Sequence, residues 1–253
     1  MAQIERHLQE RSIPSAATNS PDGAVVRQLA ERLHELRDRT IKEVGRVVVG
    51  MEAVTHQFLI ALLAGGHVLL EGVPGVAKTT LSKIFARILG VEQEGVYRLP
   101  EAQLDRFLLR VEMGYPGHSG EVEMLKLHSR PVDEVAQVFT GELILEMQQQ
   151  LADVHGNEAL LHYIVDLAEA SRHHADLMLG ASPRASLCLL RCARARALLD
   201  GRHYFTHADV HAVALGVLGH RLIIRPEAEV EGKRVADVIQ ELVNSVPVLE
   251  TAK

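Results

Sequence analysis

The chain has 253 residues, 47% of them hydrophobic and 24% charged, and a formal net charge of −6. That length suffices for one large domain or two small ones, and folding buries roughly 70–75% of the unfolded surface without any disulfide framework. The acidic balance excludes a global basic footprint for nucleic acid. The longest apolar runs, such as FLIALLAGGHVLL, fall short of the roughly 18 residues that mark a membrane span.

Residues 1–23 are polar, with Ser, Pro, Asn and Gly crowded at 12–23, and lack a long apolar core. They are expected to form a flexible N-terminal tail or a short helix and then a linker, not a signal peptide. Residues 24–44 place Val26, Leu29, Leu33 and Leu36 at helical spacing. A second helix is predicted from about Met51 to Ala64, ended by Gly65-Gly66. HVLLEG is a short apolar run bounded by glycines and reads as a buried strand, and LLRVEMGYP is the other convincing strand.

From Gly120 onward the apolar residues recur every three or four positions, which predicts a series of helices. Thr206 with Asp209 has the spacing of a capping box, and Gly201 follows a helix end. Ser182-Pro183 reads as a helix start with Ser182 as cap and Pro183 at the first position. The fold class is therefore α/β plus all-α. Its parts are a tail (1–23), a nucleotide-binding core (24–116) and a helical domain (117–253). Cys188 and Cys192 lie four apart on a predicted helix and read as buried apolar residues suited to a reducing compartment. The 14 histidines, His173-His174 among them, show no metal-ligand spacing with acidic support and read as solvated helix residues.

Between the first strand and its helix lies Gly72-Val73-Pro74-Gly75-Val76-Ala77-Lys78-Thr79-Thr80. A phosphate-binding loop reads G-x-x-x-x-G-K-[ST], and here Ala77 replaces the second glycine. Gly72 and Gly75 let the backbone turn its N–H groups inward, and the following helix start adds a positive dipole end. Lys78 can reach β- and γ-phosphates, and the Thr79 hydroxyl can hold Mg²⁺. Alanine at 77 is expected to be tolerated at negative φ. The competing reading is a tight strand-to-helix turn with a surface lysine.

Four stretches in order, GVPGVAKTT, EQEGVYRLPEAQLDRFLLRVEMGYP, LGASPRASLCLLRCARARALLDGR and VLGHRLIIRPEAE, resemble the MoxR-type AAA+ ATPases. The resemblance runs from about residue 24 to 248. It implies a P-loop core with a helical lid, ATP or ADP with Mg²⁺ as cofactors, and a cytoplasmic, hexameric, chaperone-like ring. The implied partners are proteins with von Willebrand factor A domains, which such ATPases help to mature. By the same resemblance Val48, Val49 and Gly50 line the adenine pocket and Lys78 and Thr79 contact phosphate and magnesium. Arg106 is the arginine finger reaching a neighbour's γ-phosphate, and Arg184 is the sensor-2 arginine of the lid. Taken alone, Arg106 also reads as a solvated charge. Arg184 lies at a helix N-terminus, where a cation opposes the dipole and so suggests a nearby anion.

An AAA+ ATPase also needs a strand-end Asp-Glu pair, which orders Mg²⁺ and activates water. YIVDLAEA and LILEMQ come nearest and do not qualify. The family carries further strand–helix units between the loop helix and EQEG. Here Gly90 runs directly into Val91-Glu92-Gln93-Glu94-Gly95, so about three units of roughly 30 residues are absent. The remaining strands would be neighbours in the family order 5-1-4-3-2. They are expected to leave an incomplete core whose paired remnant bares one edge and one apolar face of the central strand. Two functions follow: an ATPase motor with impaired hydrolysis, or a non-enzymatic nucleotide-binding regulatory or capping subunit. A DNA-handling role, suggested by RCARARA, is disfavoured by the acidic charge.

Overall fold

The computed structural model describes residues 21–90, 101–127, 134–248. The expected tail, apart from residues 21–23, and Glu92 and Glu94 lie outside that range. The first helix, α1, begins earlier than expected, at Pro21, and runs to Gly45. The supposed linker thus contributes its last three residues to a helix, with Pro21 at the start, where a missing N–H costs nothing. The helix α2 (Glu52–Leu63) follows, then β1 (Val68–Gly72), α3 (Lys78–Leu89), a 3-10 turn (Glu101–Arg106) and β2 (Leu109–Met113).

β1 and β2 pair in parallel, with Val68 opposite Leu109 and Gly72 opposite Met113, and form a two-stranded sheet. Among the described residues β1 has no second neighbour, so the two strands expected to be neighbours do pair, in a sheet of two. Leu109, Val111 and Met113 are buried on one face of β2, while Arg110 and Glu112 alternate to the other.

The rest is helical: α4 (His118–Leu127), α5 (Gly141–Gln150), α6 (Glu158–Arg172), α7 (Pro183–Leu199), α8 (His207–Leu218), α9 (Pro226–Val230) and α10 (Val235–Ser245). Thr140 and Asn157 cap α5 and α6 by accepting from Leu143 N at 3.3 Å and Leu160 N at 3.0 Å. The Thr206–Asp209 capping box forms as expected. Ser182, by contrast, makes no side-chain cap on α7; its hydroxyl is drawn to a carboxylate from the core, described below. Two short strands escaped the sequence reading. β3 (Leu177–Leu179) and β4 (Ile223–Ile224) pair antiparallel and are too brief to show an alternation.

A continuous apolar core runs through both halves, from Leu33 and Leu59 through Leu81 and Leu109 to Leu189 and Val217. α7 is its axis and packs against α1, α2, α6 and α8. Cys188 and Cys192 are buried free thiols on that axis, and burial pushes both thiol pKa values upward. α4 is the exception: none of its residues is buried, despite its apolar spacing. An ionic cluster pins the turn after α7 to the start of α8. Asp209, 1% exposed, receives both terminal nitrogens of Arg202 at 2.7 and 2.6 Å.

Candidate functional site

The loop between β1 and α3 turns on glycine. Gly72 and Gly75 have φ of +157° and +90°. At Gly75 an added β-carbon would meet open space, whereas at Gly72 it would fall against β2. Val76, 4% exposed, plugs the loop into the core. Ala77 then caps α3 at φ +61°, ψ +24°. It is the only non-glycine with positive φ among the described residues. The expectation of a negative φ there is overturned. The chain must reverse into the left-handed region to start α3 whatever residue is present, and alanine accepts a steric penalty of about 1–2 kcal/mol.

This path leaves a concave row of donors. Among the described residues no acceptor takes the amide N–H of Gly75, Val76 or Ala77, and Lys78, Thr79 and Thr80 open α3, where first-turn amides lack intrahelical partners. The Lys78 ammonium donates to the carbonyl oxygens of Gly72 and, at 3.2 Å, Val73, so it spans the loop it would serve. Thr79 and Thr80 are exposed at the helix start. Loop amides, helix start, ammonium and hydroxyl together fit a polyphosphate with its magnesium ion. Val73 and Pro74, also exposed, complete the rim.

Val49 and Gly50 lie in the turn between α1 and α2, with Gly50 at φ +73°. No hydrogen bond among the described residues joins them to the phosphate loop.

Arg106 and Arg184 are both exposed, and neither has an ion-pair partner among the described residues. Residues close to each in the chain meet. The Ser182 hydroxyl donates to Asp105 Oδ1 at 3.3 Å, so the turn carrying Arg106 touches the start of the helix carrying Arg184.

Two groups near the site were not singled out from the sequence. Arg221, its side chain 2% exposed, donates from Nε to Asp105 Oδ1 at 3.1 Å. It also reaches the carbonyl oxygens of Asp105 and Leu108, both at 3.3 Å, and those of Phe107 and Val217. His220 Nε2 adds a contact to the Phe107 carbonyl at 3.2 Å. Burial, then the charge of Arg221 beside it, pushes the His220 pKa down to about 4, so its ring is neutral near pH 7 and donates. The second group is Glu71, opposite Glu112 at the C-terminal strand ends, where open α/β sheets place their ligands. Arg110 joins them, at 2.9 Å to Glu71 and 2.7 Å to Glu112. Both carboxylates are thereby engaged by one guanidinium. The alternation of apolar and charged residues along β2 was the available signal for Arg110 and Glu112, whereas Arg221 lay inside the family-like stretch VLGHRLIIRPEAE without being singled out.

His174 does meet acidic side chains, Asp176 at 4.0 Å and Glu241 at 3.5 Å. The Lys233 ammonium pairs with both carboxylates, at 3.0 Å to Glu241, and offsets part of their charge.

Comparison with known proteins points one way. The AAA lid domain family matches residues 169–242. YeaC of Bacillus subtilis is 28% identical over 308 aligned positions, covering 86% of this chain and 96% of YeaC. The chaperone MoxR1 of Mycobacterium tuberculosis is 29% identical over 311 positions, covering 85% of this chain and 82% of MoxR1. MoxR of Paracoccus denitrificans is 32% identical over 168 positions, covering 58% of this chain and 50% of that protein. Both longer alignments exceed the 253 residues of this chain, so they set residues of the relatives where this chain has none. A solved protein of Cytophaga hutchinsonii described as an ATPase shares the fold, with a TM-score of 0.78 at 24% identity over 88% of this chain and 98% of that one. No described helix is long and apolar enough to cross a membrane.

Proposed function

We propose that this chain, a MoxR-type AAA+ ATPase by family, binds ATP or ADP with Mg²⁺ on Gly72–Thr80 while hydrolysing it poorly. The observation that supports binding is the loop itself, with unaccepted amides at Gly75–Ala77 and the Lys78 ammonium across it. Lys78 holds β- and γ-phosphates, Thr79 holds the metal, and Val49-Gly50 borders the base. Bound magnesium supplies charge neutralisation at the phosphates.

The reading extends to assembly. The family forms rings, and we read this chain as a cytoplasmic ring subunit, hexameric by family, acting as a chaperone on partners with von Willebrand factor A domains. Arg106 acts on the neighbouring subunit's nucleotide and Arg184 on its own. Residues 24–116 form the core and 117–253 the lid.

Poor hydrolysis rests on the missing strand-end acidic pair and on the alignments that outrun this chain, whose gap we place between α3 and Glu92. Glu71 and Glu112 occupy strand ends, but Arg110 engages both. That observation favours a second reading, a nucleotide-binding regulatory or capping subunit.

The deciding experiment is a thermal shift with millimolar ADP. A ligand that binds only the folded state raises apparent stability, so wild type gains and Lys78→Ala does not. No shift in wild type overturns the binding site.

A further inference from the structure

The contact between the turn of Arg106 and the helix of Arg184 has an unequal construction. On one side Arg221 grips the turn from within the core. Its guanidinium meets the carbonyl oxygens of Asp105, Phe107 and Leu108 and the carboxylate of Asp105. With His220 on the Phe107 carbonyl and Arg110 on the Gly219 carbonyl at 3.2 Å, residues 219–221 hold the chain on both sides of Arg106. These bonds are largely shielded from water, and losing the guanidinium would leave buried carbonyls unpaired. On the other side the Ser182–Asp105 bond is single, long at 3.3 Å and exposed. Such a bond exchanges with water at little net cost.

Both grips end on one atom. Arg221 Nε and Ser182 Oγ converge on Asp105 Oδ1. Arg184 lies two residues beyond Ser182, in the first turn of the same helix. An anion drawing on Arg184 pulls at the Ser182 end, and among the described residues the only polar tie from that end to the Arg106 turn is the Asp105 oxygen. Coupling between two sites requires an element whose state both bias. A permanent anchor joined to a breakable bond at one oxygen is such an element.

We propose that Asp105 is the joint through which nucleotide held by Arg184 in a subunit alters how that subunit presents Arg106 to its neighbour. Arg221 is the positioning residue that fixes the turn, and Ser182 is the releasable contact. The proposal rests on the roles given above to Arg106 and Arg184.

Amide hydrogen exchange over residues 104–108, with and without Mg·ADP or Mg·ATP, tests it, with the ADP thermal shift measured in parallel. In wild type the nucleotide changes exchange at 105–108 by at least about fivefold, the lower range of allosteric couplings. Ser182→Ala and Asp105→Asn keep the thermal shift, yet their exchange at 105–108 differs less than about twofold with and without nucleotide. Arg221→Lys raises exchange there in both states. A merely structural role for Asp105 would raise exchange without removing the nucleotide response. A wild-type-sized response in Ser182→Ala and Asp105→Asn overturns the joint. So does a flat wild-type response when ADP still raises the melting temperature. If ADP gives no thermal shift in wild type, the nucleotide site itself fails, and the joint fails with it.

Discussion

A β-carbon added at Gly72 would lie 2.4 Å from the carbonyl oxygen of Met113, its partner on the neighbouring strand. That contact is with backbone, which cannot swing aside, and Gly72 also has φ +157°, outside the range of other residues. Gly75 has open space around it and only its φ of +90° to defend. Gly72→Ala is therefore expected to destabilise the fold by at least about 2 kcal/mol, and Gly75→Ala by about 1–2 kcal/mol. Urea midpoints with unchanged m-values check the ranking. A Gly75→Ala effect larger than that of Gly72→Ala would contradict the strand contact.

Ala77 gives the opposite expectation. Returning the position to glycine relieves about 1–2 kcal/mol of left-handed strain and gives back about 0.4–1 kcal/mol through the freer unfolded chain. Ala77→Gly should therefore gain about 0.5–1 kcal/mol in equilibrium unfolding, with ADP binding retained. A loss of stability would mean that the loop reaches α3 by another path.

Phosphate release should be very slow. In the proposed site Lys78 and Thr79 serve ground-state phosphates, and among the described residues no carboxylate free of an arginine stands at a strand end to orient the attacking water. Base and positioning contributions are worth about 10²–10⁴-fold. A colorimetric assay of purified protein, with Lys78→Ala as the contamination control, measures this. Turnover near about one per second, in the ordinary range for phosphoryl-transfer enzymes, that vanishes in Lys78→Ala would reverse the conclusion. Glu71→Gln, Glu112→Gln and variants of Glu92 and Glu94 would then locate the acid.

Acid should loosen the Arg106 turn. Burial holds His220 near pKa 4 when folded, against 6.5 as the ordinary value. The unfolded chain binds the extra proton between those values, so stability is present above about pH 6.5 and falls as pH drops toward 4. His203 and His211 are lowered by burial too and act in the same direction. Asp200 is held near 2 by His56 and neighbouring arginines, against the opposing effect of burial, and its contribution disappears only below its ordinary 3.8. After allowance for partial exposure, His220 contributes about 2 kcal/mol of this slope. Chemical denaturation from pH 7 to 4.5 should show it, and His220→Gln should flatten it. An unchanged slope in that variant would place the titration elsewhere.

The phosphate loop, its flanking strand and the Thr206–Asp209 cap could be read from sequence because their signals are local: glycines at fixed offsets, an apolar run before a helix, and a three-residue cap spacing. The pairing of the two strands came only from the strand order that the family resemblance implies. Ala77 could not be read, since its φ is set by the chain reversal around it and alanine is silent on sign. Ser182 has the composition of a cap, yet its hydroxyl serves Asp105, 77 residues away in the chain. Arg221 was invisible for the same reason, because its acceptors are carbonyls assembled only by tertiary packing. β3 and β4 were missed because two or three residues cannot display a period.

The parallel ladder has a kinetic consequence. Val68 finds Leu109 across only about forty residues of chain, whereas relatives with more intervening residues must close a longer segment. Loop-closure entropy grows by only about 0.6 kcal/mol per doubling, but folding rates track sequence separation across proteins. With the gap placed where we propose it, the shorter crossover keeps the Val68–Leu109 ladder. The nucleotide loop and its supporting strand pair should therefore come together earlier in folding than the same pair in longer relatives.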